Sequence, residues 1–178
     1  NKTCFVTLVT TEPYVVGALV LGHSLRSTTP LLTHRHSDLV CMVTDAVSPS
    51  SRQALLKVFD RCVEVPKWDS GDAKGLALLG RPELGQTLTK RHIWRLTEYD
   101  KAVFMDADML VVRDVGEVVE RPELSACADI GWPDCFNSGL FVCVPSEATF
   151  RALVEHCQRV GTFDGLPHLV CIYNHQQS

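Results

Sequence analysis

The residues with the clearest chemical potential in this sequence are Asp106 and Asp108, which follow the apolar run Ala102-Val103-Phe104-Met105. Four apolar residues ending abruptly in Asp-Ala-Asp mark the point where a buried strand surfaces. Two carboxylates one residue apart can both turn toward a divalent cation that bridges phosphate oxygens. Such an ion would neutralise charge on a diphosphate leaving group. Asp is also ordinary turn chemistry at a strand end, but the apolar run before this pair favours the metal reading.

A strand ending in ligands needs a frame to hold it. Cys4 to Thr10 and Asp38 to Thr44 read as strands, as does Cys62 to Val65, which Pro66 closes. Between them, Gly17 to Leu25 and Ser50 to Phe59 carry apolar residues at helical spacing. Thr87 to Thr97 predicts a further helix, and Ser146 to Val160 another, with Ser146 as its N-cap and Glu147 in its first turn. Leu124 to Ala128 and Leu140 to Val144 are additional strand candidates. Lys67 to Gly80 reads as a loop or short helix over the open end of the sheet, and Gly161 to Ser178 has too little pattern to place. Strands alternating with helices predict an α/β domain with a mostly parallel sheet covered on both faces, whose ligands gather at the carboxyl ends of the strands.

The 178 residues suit one domain, 1–178, with 166–178 the uncertain part. A net charge of -4 and no run of Lys or Arg argue against a nucleic-acid partner. No apolar stretch is long enough for a membrane span, and the chain opens on a strand pattern rather than a secretory leader. Its eight cysteines contain no CxxC pair and mostly sit in apolar runs, so they read as buried thiols in a reducing, cytoplasmic setting. His34 and His36 fall in a polar loop and read as solvated, not as metal ligands.

Several longer segments resemble one family. Val103-Phe104-Met105-Asp106-Ala107-Asp108, Gly131-Trp132-Pro133-Asp134-Cys135-Phe136-Asn137-Ser138-Gly139, Arg81-Pro82-Glu83-Leu84-Gly85 and Thr87-Leu88-Thr89-Lys90 look like the glycogenins. So do Phe5-Val6-Thr7-Leu8 and Gly17-Ala18-Leu19-Val20-Leu21-Gly22, and the likeness runs from about Phe5 to Gly165. Glycogenins are family-8 retaining glycosyltransferases. The resemblance implies a GT-A fold, UDP-glucose as donor, Mn²⁺ as cofactor, and a protein tyrosine or growing glucan primer as acceptor in glycogen synthesis. A homodimer or glycogen synthase is the partner it implies.

Residue by residue, the resemblance implies that Asp106 and Asp108 contact Mn²⁺ and the diphosphate, with Ala107 beside the ribose. Leu8, Thr10, Thr11 and Tyr14 would line the uridine pocket, and Thr11 stands where glycogenins usually have Asn. Tyr14 suits stacking on a flat base, and equally suits packing on a surface. Arg81 and Lys90 would lie by the diphosphate and donor sugar, Lys90 as the catalytic cation stabilising the departing charge. Taken alone, each is an ordinary solvated charge. Asn137 and Ser138 would bond the donor glucose, although Asn-Ser-Gly is also simple turn chemistry. Asp164 would be an acidic residue near the sugar; without the family, an Asp before Gly is a turn.

After Gly165 the resemblance breaks. Phe163-Asp164-Gly165 should lead into an Asp-Gln-Gly segment, but Leu166-Pro167-His168 follows, and with Ile172-Tyr173-Asn174 it matches a stretch further downstream in the family. The third metal ligand, a His followed by Gly and Lys, is not met, nor is the acceptor tyrosine. The expectation is therefore a donor site largely present and an acceptor apparatus absent. A non-catalytic module that binds UDP or a full-length partner is the competing reading. A third reading takes Asp106 as the nucleophile and Asp108 as the acid of an aspartate-dependent phosphatase. That strand usually comes early in such enzymes, and the Gly131 to Gly139 segment has no place in them.

Overall fold

Strand β1 (Thr3–Val9) sends Phe5 and Val9 into one hydrophobic cluster and Cys4, Val6 and Leu8 into another. β2 (Ser37–Val43) repeats the division, with Leu39, Cys41 and Val43 on the first side and Val40 and Met42 on the second. Strands apolar on both faces require cover on both faces. A computed structural model describes the chain over residues 2–67, 89–128 and 136–160.

The first face is covered by α1 (Tyr14–Thr28), the short α2 (Pro30–Thr33), α3 (Pro49–Leu55) and the 3₁₀ turn η2 (Gly116–Glu120), through Leu21, Leu25, Leu32, Leu55 and Val119. The second is covered by the 3₁₀ helix η1 (Lys90–Arg95) and by α4 (Glu147–Val160), through Ile93, Trp94 and Leu153. Between these layers lie β1, β2, β3 (Arg61–Glu64), β4 (Lys101–Met105), β5 (Ala126–Ala128) and β6 (Phe136–Cys143), in the spatial order β3-β2-β1-β4-β6-β5. β1, β2, β3 and β4 are parallel, while β6 is antiparallel to both β4 and β5. The chain moves outward from β1 to β3, then returns to place β4 on the other side of β1, with Thr3 opposite Lys101 and Val6 opposite Phe104. In open α/β sheets such a reversal is where a ligand crevice forms, here at the carboxyl ends of β1 and β4.

Three expectations are corrected. The helix expected over Ser50 to Phe59 ends at Leu55, because the amides of Val58 and Phe59 both return to the Leu55 carbonyl (2.9 and 2.8 Å). This turn lets Asp60 donate to Leu39 (2.8 Å) and feed β3. Ser48 caps the shortened helix by accepting from Ser51 (3.2 Å). Within Thr87 to Thr97, the described part is a 3₁₀ helix, not an α-helix, since tight turns at Leu96 and Tyr99 follow at once and lead into β4. The strand expected from Leu140 begins earlier, at Phe136. Ser146 caps the last helix as expected, accepting from Thr149 (3.2 Å). Lys67 is the last described residue before the loop expected up to Gly80, so that loop lies outside the described residues, as does 161–178.

On the second face, Trp94 stacks on Phe141 and Phe141 on Phe104 (centroids 5.6 and 5.1 Å), which pins η1 to β4 and β6. Beside this stack His92 is buried against Phe150 (5.3 Å). Burial, then Arg95 and Arg91, push its pKa down to about 4. The unfolded chain therefore takes up a proton near pH 6.5 that the folded chain refuses. Stability from this residue is complete above pH 6.5 and falls as the pH drops toward 4, by on the order of 2–3 kcal/mol. In urea melts at pH 7 and pH 4.5, His92→Gln should lose less stability between the two than wild type. Equal losses would show that His92 does not titrate this way.

Candidate functional site

β4 delivers Asp106 to the crevice, and the ladder with β6 extends one step further to hold it: the Asp106 amide donates to Gly139 (2.8 Å). The chain then turns, Met109 donating to the Asp106 carbonyl (3.2 Å). In this turn Ala107 is buried and Asp108 exposed, while Asp106 is partly exposed. The turn rests on α1. A Cβ on Gly17 would stand 2.6 Å from the Ala107 carbonyl oxygen, so only glycine lets the helix approach this closely. About two turns further along α1, the Ser24 hydroxyl accepts from the Val111 amide (3.1 Å).

Lys90, at the start of η1, places its Nζ 2.7 Å from Asp106 Oδ1. The same ammonium lies 3.4 Å from both the carbonyl and the hydroxyl of Ser138, and 5.1 Å from the centre of the Phe104 ring. Asn137 is exposed and accepts from the Gly139 amide through Oδ1 (2.7 Å). A Cβ on Gly139 would be 2.8 Å from that oxygen and 3.1 Å from Asp106 Oδ2. Lys90, Asp106 and Ser138, contributed by three separate elements, thus converge on one point beside Asn137.

At the end of β1, Leu8 is buried in the second-face cluster and Thr10 is almost fully buried, its carbonyl accepting from the Thr44 hydroxyl (2.8 Å). Thr11 is partly exposed and Tyr14, at the first turn of α1, is 39% exposed. Arg81 and Asp164 lie outside the described residues.

Four supporting residues have roles that the sequence reading does not assign. Glu12 ties the β1–α1 loop to α3, accepting from the Ser48 amide (2.5 Å) and the Ser51 hydroxyl (2.7 Å). These bonds, that of Ser51 foremost, hold its carboxyl below the usual carboxylate range. Nothing in the local sequence announces a bond spanning 39 positions. Gly17 and Gly22 do leave a signal, since a glycine inside a helix is costly unless something packs against it; at Gly22 that is Val58 and Phe59. Gly139 closes the Gly131 to Gly139 segment, but its contact with Asp106 is purely tertiary.

Asp106 and Asp108 offer hard oxygen donors of the kind that suit a divalent ion shared with phosphate oxygens. They are two carboxylates only: among the described residues, no group of three or more His, Cys, Asp or Glu is placed to hold a metal. His34 and His36 are exposed, as expected. Among the described residues no helix is long and apolar enough to cross a membrane, and Cys4, Cys41, Cys62, Cys127 and Cys143 are free thiols.

The architecture is that of the GT-A glycosyltransferases. It is similar to the WbbM bifunctional glycosyltransferase (TM-score 0.61, 18% identity, covering 86% of this chain and 34% of that one). It is also similar to glycosyltransferase GlyE of Streptococcus pneumoniae TIGR4 (0.62, 14% identity, 97% and 42%). No protein-family model matches the chain. Sequence carries the comparison further: the chain is a homologue of the glycogenins. It is 51% identical over 162 residues to Glycogenin-1 of Oryctolagus cuniculus and 53% over 162 residues to Glycogenin-2 of Homo sapiens. These matches take in 90% of this chain but 47% and 31% of those proteins, so the chain spans half or less of the length of these curated relatives.

Gly17→Ala tests the support of the Asp106–Asp108 turn. Alanine alone would favour a helix interior, but here its methyl meets a backbone carbonyl that cannot swing away. The expected result in urea denaturation is a loss of about 1–3 kcal/mol. A variant as stable as wild type would mean that α1 does not approach the turn this closely.

Proposed function

We propose that this chain carries the donor site of a glycogenin-type glucosyltransferase, which takes glucose from UDP-glucose with Mn²⁺ and passes it to a protein tyrosine or a growing glucan primer. The observation that carries the reading is the convergence of Lys90, Asp106 and Ser138 at the switch point of a GT-A sheet, in a chain half identical to the glycogenins.

In this reading Asp106 and Asp108 hold the ion, whose chemistry when bound is to neutralise charge on the diphosphate. Lys90 donates to the leaving diphosphate, where an ammonium in a partly dry site counts for more than in water. Asn137 and Ser138 bond the glucose hydroxyls, and Tyr14 stacks on the uracil beside Leu8, Thr10 and Thr11. Ala107 supports the ribose, and Arg81 and Asp164 belong to the same site by resemblance to the family. Retention of configuration, pairing with a second copy or with glycogen synthase, and a cytoplasmic setting belong to the same proposal. The net charge of -4, with no run of Lys or Arg, supports the absence of a nucleic-acid partner.

Calorimetric titration with UDP, with and without Mn²⁺, tests the donor site. Saturable binding that requires the ion is expected, weakened by about ten-fold or more in Asp106→Asn and Asp108→Asn. No binding by a chain with intact circular dichroism would refute the proposal. Mn²⁺-dependent release of glucose from UDP-glucose separates an enzyme from a module that only binds.

A further inference from the structure

We infer that Lys90 stands in for the divalent ion while the donor site is empty, and so makes binding of the ion conditional on binding of the diphosphate. The inference rests on the donor-site reading above and adds an order to it.

The Lys90 ammonium has three protons to donate, and three acceptors surround it: Asp106 Oδ1 at 2.7 Å, and the Ser138 carbonyl and hydroxyl oxygens at 3.4 Å each. Its side chain is only 14% exposed, lying over the Phe104 ring. The backbone that carries it is fixed, because Ile93 and Trp94 of η1 are buried. The unbranched stem is thus the part free to move.

A divalent ion approaching Asp106 alone meets an oxygen already neutralised by an ammonium, and binding there would force two cations within one ion-pair distance of each other. Asp108 is exposed and, among the described residues, forms no ion pair. A diphosphate changes the balance by bringing new anionic oxygens. Lys90 can then pass from Asp106 to phosphate, strengthening the hold on the nucleotide and freeing Asp106 Oδ1 for the ion in one exchange. Each ligand thereby raises the affinity for the other by the same factor. Lys90 is in this respect a positioning residue, which sets the coupling between two ligands apart from any part in the chemistry.

The test is a set of Mn²⁺ titrations followed by electron paramagnetic resonance, with and without UDP, on the whole chain as wild type, Lys90→Met and Lys90→Arg. In wild type, UDP should tighten Mn²⁺ binding by about ten-fold or more. Lys90→Met should bind Mn²⁺ alone about ten-fold tighter than wild type and lose most of the coupling, while Lys90→Arg keeps wild-type behaviour. A purely structural ion pair would instead lower the urea midpoint of Lys90→Met and leave its affinity for Mn²⁺ alone unchanged, which overturns the inference while the donor site stands. If Lys90→Met does not fold, the wild-type titrations decide, since Mn²⁺ affinity indifferent to UDP overturns it as well. Failure of wild type to bind UDP at all sinks the donor-site reading, and this inference with it.

Discussion

β1 and β4 lie side by side, parallel and in register from Thr3–Lys101 to Val6–Phe104, although nearly a hundred residues separate them. Everything at the crevice depends on that pairing. Because β2 and β3 occupy one side of β1 and β4 the other, β1 and β4 mark the point where the strand order reverses, and in open α/β sheets ligands gather at the carboxyl ends there. The pairing is bought with burial: Cys4, Phe5, Val6, Ala102, Val103 and Phe104 are all 1% exposed or less. A rigid, dry base lets the turn at Asp106 to Asp108 present carboxylates without the backbone beneath them yielding.

Support for that turn comes from elements whose own reasons for existing are different. α1 covers a sheet face through Leu21 and Leu25, yet the same helix brings Gly17 under Ala107 and Ser24 under Val111. η1 is anchored by an aromatic stack, and that anchor is what carries Lys90 to Asp106. β6 runs against β4, so it begins where β4 ends, putting Ser138 and Gly139 beside the carboxylate. Packing and chemistry use the same atoms here. A substitution in the cover can therefore disturb the site without touching it.

Far from the crevice, the opposite ends of the strands are tied by a different set of charges. Tyr99 donates to Asp38 (2.7 Å), which also pairs with Lys2 (3.1 Å), while Arg61 pairs with Glu98. Burial and the bond to Asp38 push the Tyr99 hydroxyl well above its usual range, so it stays a donor. This network ties β1, β2 and β3 together at the ends opposite those that lead to Asp106 and Asp108.

Periodicity alone established that strands and helices alternate, because a strand buried on both faces must be apolar throughout and a covering helix must be apolar on one stripe. It also made Asp106 and Asp108 conspicuous, since charge directly after Phe104 and Met105 has few explanations. Periodicity could not show that η1 would be a 3₁₀ helix or that α3 would stop at Leu55: both ends are decided by where the following strand must begin. Nor could it bring Lys90 to Asp106 and Ser138. Those three residues belong to segments that sequence keeps apart, and their distances exist only once η1 and β6 have packed against β4. Residue type announces what chemistry is available, because it is a local property; which charges meet is settled by the fold, because contact is not.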